Sequence, residues 1–124
     1  MPLKTRQGTE SAFSDPFAGP WGRVNSDAFG AQTVRFQKTD KWAPKTYSYP
    51  YRSFSRWEFR KSYSSDEIII YAATDTITIT GKNLERLAEA LDQGKLELVR
   101  EMGSESSVSD SPITVSSISV KGLT

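Results

Sequence analysis

"SRWEFRKSYSSDEIIIYAATDTITIT", residues 55–80, decides how the chain is read. It holds three runs rich in β-branched and aromatic residues, separated by "SSD" and "ATD", the pattern of strands joined by tight turns. "TITIT" alternates, with Ile77 and Ile79 on one side and threonines on the other, so it predicts a strand with one buried face. "EIIIYA" is continuously apolar and predicts burial on both faces. Together the three runs predict an antiparallel meander.

A helix is expected directly afterwards. Gly81 breaks the strand pattern, Asn83 suits an N-cap, and Leu84, Leu87, Ala88 and Leu91 recur at the spacing of one helical face. Gly94 sits where a residue closing the helix would. "KLELVRE", residues 95–101, alternates and predicts a further strand, and "QTVRFQK", residues 32–38, predicts one upstream. In "ITVSSISV", residues 113–120, Ile113 and Val115 share one phase while Ile118 and Val120 share the other. A bulge at Ser116/Ser117 reconciles them.

The expected architecture is α+β: a small antiparallel sheet of four or five strands packed on one helix. It divides into an extended Gly/Pro-rich arm over 1–32, the α+β domain over 33–102, a flexible Ser-rich link over 103–112 and a C-terminal strand over 113–124. The length of 124 residues allows one domain, and a hydrophobic fraction of 36% implies that part of the chain stays outside its core.

With no cysteine and no histidine, the chain lacks thiolate nucleophiles, imidazole bases and Cys/His zinc sites. "TITGKNLE" places Gly and Lys between strand and helix without the spacing of a phosphate-binding loop. Glu85, Glu89 and Asp92 lie at helical spacing off the leucine face and read as a solvated surface. Glu58 reads as a partner for Arg56 and Arg60. The expectation is a protein that is not an enzyme, with no cofactor and no metal. "MPLKTRQGTESAF" lacks the apolar run of a signal peptide, and no stretch has the length of a membrane span, so the reading expects a cytoplasmic protein.

Charge is uneven along the chain. Residues 1–65 carry eleven Lys/Arg against five Asp/Glu, a balance of +6, while residues 66–124 carry five against ten, a balance of −5; the whole chain is +1. If residues 51–63 are extended, Arg52, Phe54, Arg56, Glu58 and Arg60 share one face and Tyr51, Trp57, Phe59 and Tyr63 the other. The rings of Trp57, Phe59 and Tyr63 are then expected in the core beneath Leu84, Leu87 and Leu91, with the arginines in water.

The functional expectation is an accessory or scaffold protein that binds a larger protein assembly. Phe13, Phe17, Trp21 and Phe29 on the arm, and Arg52, Arg56 and Arg60 on the sheet, are the candidate partner-binding residues. A nucleic-acid-binding module using the basic face around residues 41–61, with Lys41, Lys45, Arg52, Arg56 and Arg60, is the alternative.

Overall fold

The computed structural model describes residues 18–25, 30–39, 42–102 and 113–122. Among them nine strands and one helix follow in order: β1 (Ala18–Gly19), β2 (Gly22–Val24), β3 (Thr33–Lys38), β4 (Lys45–Pro50), β5 (Phe54–Lys61), β6 (Asp66–Ala72), β7 (Asp75–Lys82), α1 (Glu85–Asp92), β8 (Leu96–Arg100) and β9 (Thr114–Gly122). A single 3-10 turn, Tyr51–Ser53, lies between β4 and β5. The Ser-rich link, residues 103–112, falls outside the described residues.

Strand dominates, and the predicted meander is present as β5-β6-β7. The expectation of one sheet packed on a helix is corrected to two sheets. The first has the order β1-β2-β8-β3-β4, and the second β5-β6-β7-β9. The second is antiparallel throughout, whereas β3 and β8 run parallel in the first. Pro50 cannot donate to a ladder, and the turn after it carries the chain from the first sheet into the second. Two short strands of the segment read as an arm belong to the first sheet, where β2 pairs with β8.

The two sheets and the helix share one core. Val34, Phe36, Leu96 and Val99 come from the first sheet, Ile68, Ile70, Ile77, Ile79, Val115 and Ile118 from the second, and Leu84, Leu87 and Leu91 from α1. Ile77 and Ile79 point inward as their alternation predicts. Burial of β6 on both faces is not found: Ile68 and Ile70 are buried but Ile69 is half-exposed, flanked by Glu58 and Thr78 on an outer face that nothing described covers.

Irregularities in the ladders carry the phase changes. Thr80 pairs with Ser117 but Gly81 with Val115, so Ser116 is the extra residue and both apolar pairs of β9 reach the core side, as the sequence predicts for Ile113, Val115 and Ile118. Gly81 does not end its strand. It is buried within β7, and a Cβ there would stand 1.8 Å from the Thr114 carbonyl oxygen. A similar extra residue, Glu97, separates Leu98 opposite Arg23 from Leu96 opposite Val24, and lets Leu96 and Val99 both be buried.

Asn83 is not the N-cap. Its φ is 59°, a left-handed conformation that Asn tolerates and that the tight passage from β7 to α1 requires. Leu84 occupies the cap, and its N–H donates 3.1 Å to Oδ2 of the buried Asp66 on β6. Gly94 closes the helix as expected, with φ 68°. Its N–H donates to the Leu91 carbonyl and that of Lys95 to the Ala90 carbonyl, the paired bonds of a Schellman turn.

Polar side chains fasten the sheets to each other. One Glu101 oxygen accepts the Thr39 N–H at 2.9 Å and the other the Ile118 N–H at 2.7 Å. The Tyr49 hydroxyl on β4 donates to Asp75 on β7, and the Tyr51 hydroxyl donates 2.7 Å to the Leu96 carbonyl. Burial pushes both phenols above the ordinary tyrosine range, and for Tyr49 the hydrogen bond and charge of Asp75 add to it. No helix among the described residues is long and apolar enough to cross a membrane.

Two outcomes follow from this packing. Gly81→Ala forces a methyl into the Thr114 carbonyl and is expected to lower unfolding stability by about 1–3 kcal/mol. Gly94→Ala meets open space and is expected to lose about 1 kcal/mol through its left-handed backbone alone, both read from urea midpoints. Phenols that ionise less readily when folded contribute stability that is fully present below about pH 10 and lost as pH rises past it. Thermal unfolding between about pH 8 and pH 11 should therefore decline more steeply in the wild type than in a Tyr49→Phe/Tyr51→Phe variant; equal slopes would contradict the assignment.

Candidate docking groove

Among the described residues strand β5 pairs only with β6, so its other edge has no strand beside it there. The opposite border of the same sheet, β9, is met by Glu101, by the Lys38 ammonium on the Ile118 carbonyl and by the Met102 N–H on the Val115 carbonyl. One border is closed; the other is open among the described residues.

Side-chain direction along β5 follows the predicted parity from residue 56 onward. Trp57 stands opposite Ile70 and Phe59 opposite Ile68, on the core side of the sheet, while Arg56 and Arg60 stand on the outer side opposite Tyr71 and Glu67. The predicted burial does not follow. Trp57 is only half-buried, Phe59 is 36% exposed and Tyr63, in the β5–β6 turn, is fully exposed. Isoleucines of β6 and β7 fill the core beneath Leu84, Leu87 and Leu91, and the rings of the edge strand are only partly covered, with Trp57 packed against the core at its margin.

Phe54 also departs from the sequence parity. The register shifts between Phe54 and Arg56, so Phe54 faces the buried Ala72 and packs against the core rather than joining the arginines. It completes a ladder of rings. Phe36 to Tyr49 is 5.9 Å between centroids, Tyr49 to Phe54 is 6.2 Å, and Phe54 meets Trp57 edge-on at 6.4 Å. The ladder runs from the middle of the core to the surface and holds Trp57 in place.

Between β5 and α1 lies an open groove of about 340 Å³, lined by Trp57, Phe59, Glu85, Ala88, Glu89 and Asp92. Two contacts set the alignment of its walls. The Trp57 indole N–H donates 2.8 Å to Asp92 near the helix C-terminus, and the Lys61 ammonium donates 2.9 Å to Glu85 at the N-terminus. The helix therefore runs antiparallel to β5, with Phe59 between the two contacts. Glu85 holds the Lys61 ammonium above the ordinary lysine range, with the Asp66 carboxylate adding to the effect. The carboxylate row at 85, 89 and 92 is legible in the sequence as a helical face; that it borders two rings is not.

The other candidate residues are placed differently. Trp21 is buried at 3% exposure, its carbonyl accepts the Arg100 N–H, and a Cβ on Gly19 would touch its ring at 2.7 Å. Such a side chain has no surface to offer a partner. Phe13, Phe17, Phe29 and Lys41 lie outside the described residues. Arg52 is exposed in the 3-10 turn, and Lys45 lies 5.1 Å from the centroid of Tyr47. Arg56 stacks 4.4 Å over Tyr71 and pairs with Glu58 at 3.5 Å; Arg60 pairs with Glu58 at 3.7 Å and Glu67 at 3.8 Å. The outer basic row is thus interleaved with acids, as expected for Glu58.

The two tryptophans separate core from site. Trp21→Ala is expected to lose about 3–5 kcal/mol of unfolding stability. Trp57→Ala should lose less, about 2–3 kcal/mol, because its ring stays partly in water and it gives up one exposed hydrogen bond and the edge-on contact with Phe54; urea unfolding of both variants checks the contrast.

No family model, curated protein or solved structure matches the chain, so the reading of the groove rests on its geometry.

Proposed function

We propose that the protein is a non-enzymatic accessory protein that docks on a larger protein assembly through the open edge of β5 and the groove beside it. The observation that carries this reading is the pair of partly exposed rings, Trp57 and Phe59, set along an unpaired strand edge. Aromatic residues in concave, half-desolvated positions are the common anchors of protein interfaces. Trp57 is pre-oriented by Asp92 and the ring ladder, which lowers the entropy lost on association.

Nucleic acid fits this surface less well. A single-strand platform needs rings and cations on one face. Here the rings share theirs with Glu85, Glu89 and Asp92, which repel phosphate, and the arginines lie on the other side of the sheet with Glu58 and Glu67.

The test uses the full chain purified from its native source. A stoichiometric protein complex should accompany the wild type and be lost from a Trp57→Ala/Phe59→Ser variant that still unfolds cooperatively in urea. Retention of the complex by the variant, or tight oligonucleotide binding that weakens steeply with salt, would sink the proposal.

A further inference from the structure

Resting on that reading, we infer that the partner segment is extended and basic. It adds as a strand to the free edge of β5 and places alternate Lys or Arg side chains in the groove between the rings and the carboxylates of α1. Three features of the surface support this occupant.

The first is the edge itself. Among the described residues no strand lies beside the backbone groups of β5 that face away from β6, and an added strand would satisfy them while continuing the sheet. Side chains of an added strand alternate between faces, so every second one would lie on the core side, level with Trp57 and Phe59. Consecutive same-face residues stand about 6.6 Å apart, close to the rise of about 6 Å between Glu85 and Glu89 along the helix.

The second is charge. Every ionisable side chain lining the groove is an acid: Glu85, Glu89 and Asp92. An ammonium or guanidinium between them and the faces of Trp57 and Phe59 gains both ion pairing and cation–π attraction. An acidic or phosphorylated segment is repelled by the same row.

The third is a contact made within the chain. Lys61 already places its ammonium on Glu85 at one end of the groove, reaching from the end of β5 to the helix and showing that a cation is held there. A second copy of the chain is a poorer occupant. If two β5 edges paired, the same-face positions presented to the groove would be Trp57 and Phe59 again with one cation, Lys61, whose ammonium its own Glu85 already holds.

The experiment is a titration of the full chain with three fluorescently labelled octapeptides that alternate threonine with lysine, norleucine or glutamate. The lysine peptide should bind at least about tenfold more tightly than the norleucine peptide, and the glutamate peptide should not bind. Binding of the lysine peptide should weaken with added salt and be lost when its alternate backbone amides are N-methylated. Glu89→Gln, an exposed change outside the core, should reduce its affinity several-fold, with Glu89→Asp restoring part of it. Equal binding of the lysine and norleucine peptides would overturn the basic partner while leaving the groove as the interface. So would binding of none of the three by a wild type whose native complex is still lost in Trp57→Ala/Phe59→Ser. A concentration-dependent dimer abolished by the same double change would assign the groove to a second copy and overturn the inference. Survival of the native complex in that double variant would instead remove the reading on which the inference rests.

Discussion

The cover over the inner face of the second sheet stops one strand short. A helix that lies along β5 covers the sheet only by its width, about 10–12 Å, and has one apolar stripe, while four paired strands spread over about 14 Å between their outer axes. Leu84, Leu87, Leu91 and the first sheet bury Ile68 and Ile70 of β6 and Ile77 and Ile79 of β7 completely. They only partly cover β5, where Phe54 and Trp57 pack against the core without being buried and Phe59 is 36% exposed. Its inward-facing rings are left half in water, and that incomplete coverage creates the groove, its aromatic floor and its open border at once. At the far side of the sheet the same problem is solved by Glu101, whose two oxygens take the backbone donors of Thr39 and Ile118.

Extra residues in the ladders place side chains where simple alternation would not. Ser55 breaks the register of β5, turning Phe54 inward to join Phe36, Tyr49 and Trp57 in one ring ladder. Without that shift Phe54 would lie among arginines, and Trp57 would lack its edge-on neighbour. Ser116 performs the same service in β9, and the tight approach it creates between β9 and β7 is why residue 81 has no side chain. Core packing and the shape of the docking surface therefore depend on the same local backbone device.

The electrostatics of the two faces of β5 are opposite. On the outer face Arg56 and Arg60 are held by Glu58, Glu67 and the ring of Tyr71, so these two cations find their partners within the chain. On the groove side the rings border carboxylates contributed by the acidic back half. The charge asymmetry between residues 1–65 and 66–124 is thus realised partly as contacts within the protein, such as Lys61 with Glu85, and partly as an acidic rim along the groove.

Much was determined by the sequence alone: the β5-β6-β7 meander, the inward phase of Ile77 and Ile79, the leucine stripe of the helix, its closure at Gly94 and the phase change at Ser116. These are local properties, set by a side-chain period of two or 3.6 and by the few conformations that glycine or an extra residue permits. Even the separation of Trp57 and Phe59 from Arg56 and Arg60 was legible by parity. Only the tertiary structure decided that there are two sheets, that Trp21 is core, that Asn83 yields the helix cap to Leu84 with Asp66 as its acceptor, and that Trp57 and Phe59 sit at an uncovered edge beside Glu85, Glu89 and Asp92. Each of those depends on which distant segment lies opposite a residue, and parity states which way a side chain points without stating whether anything is there to cover it.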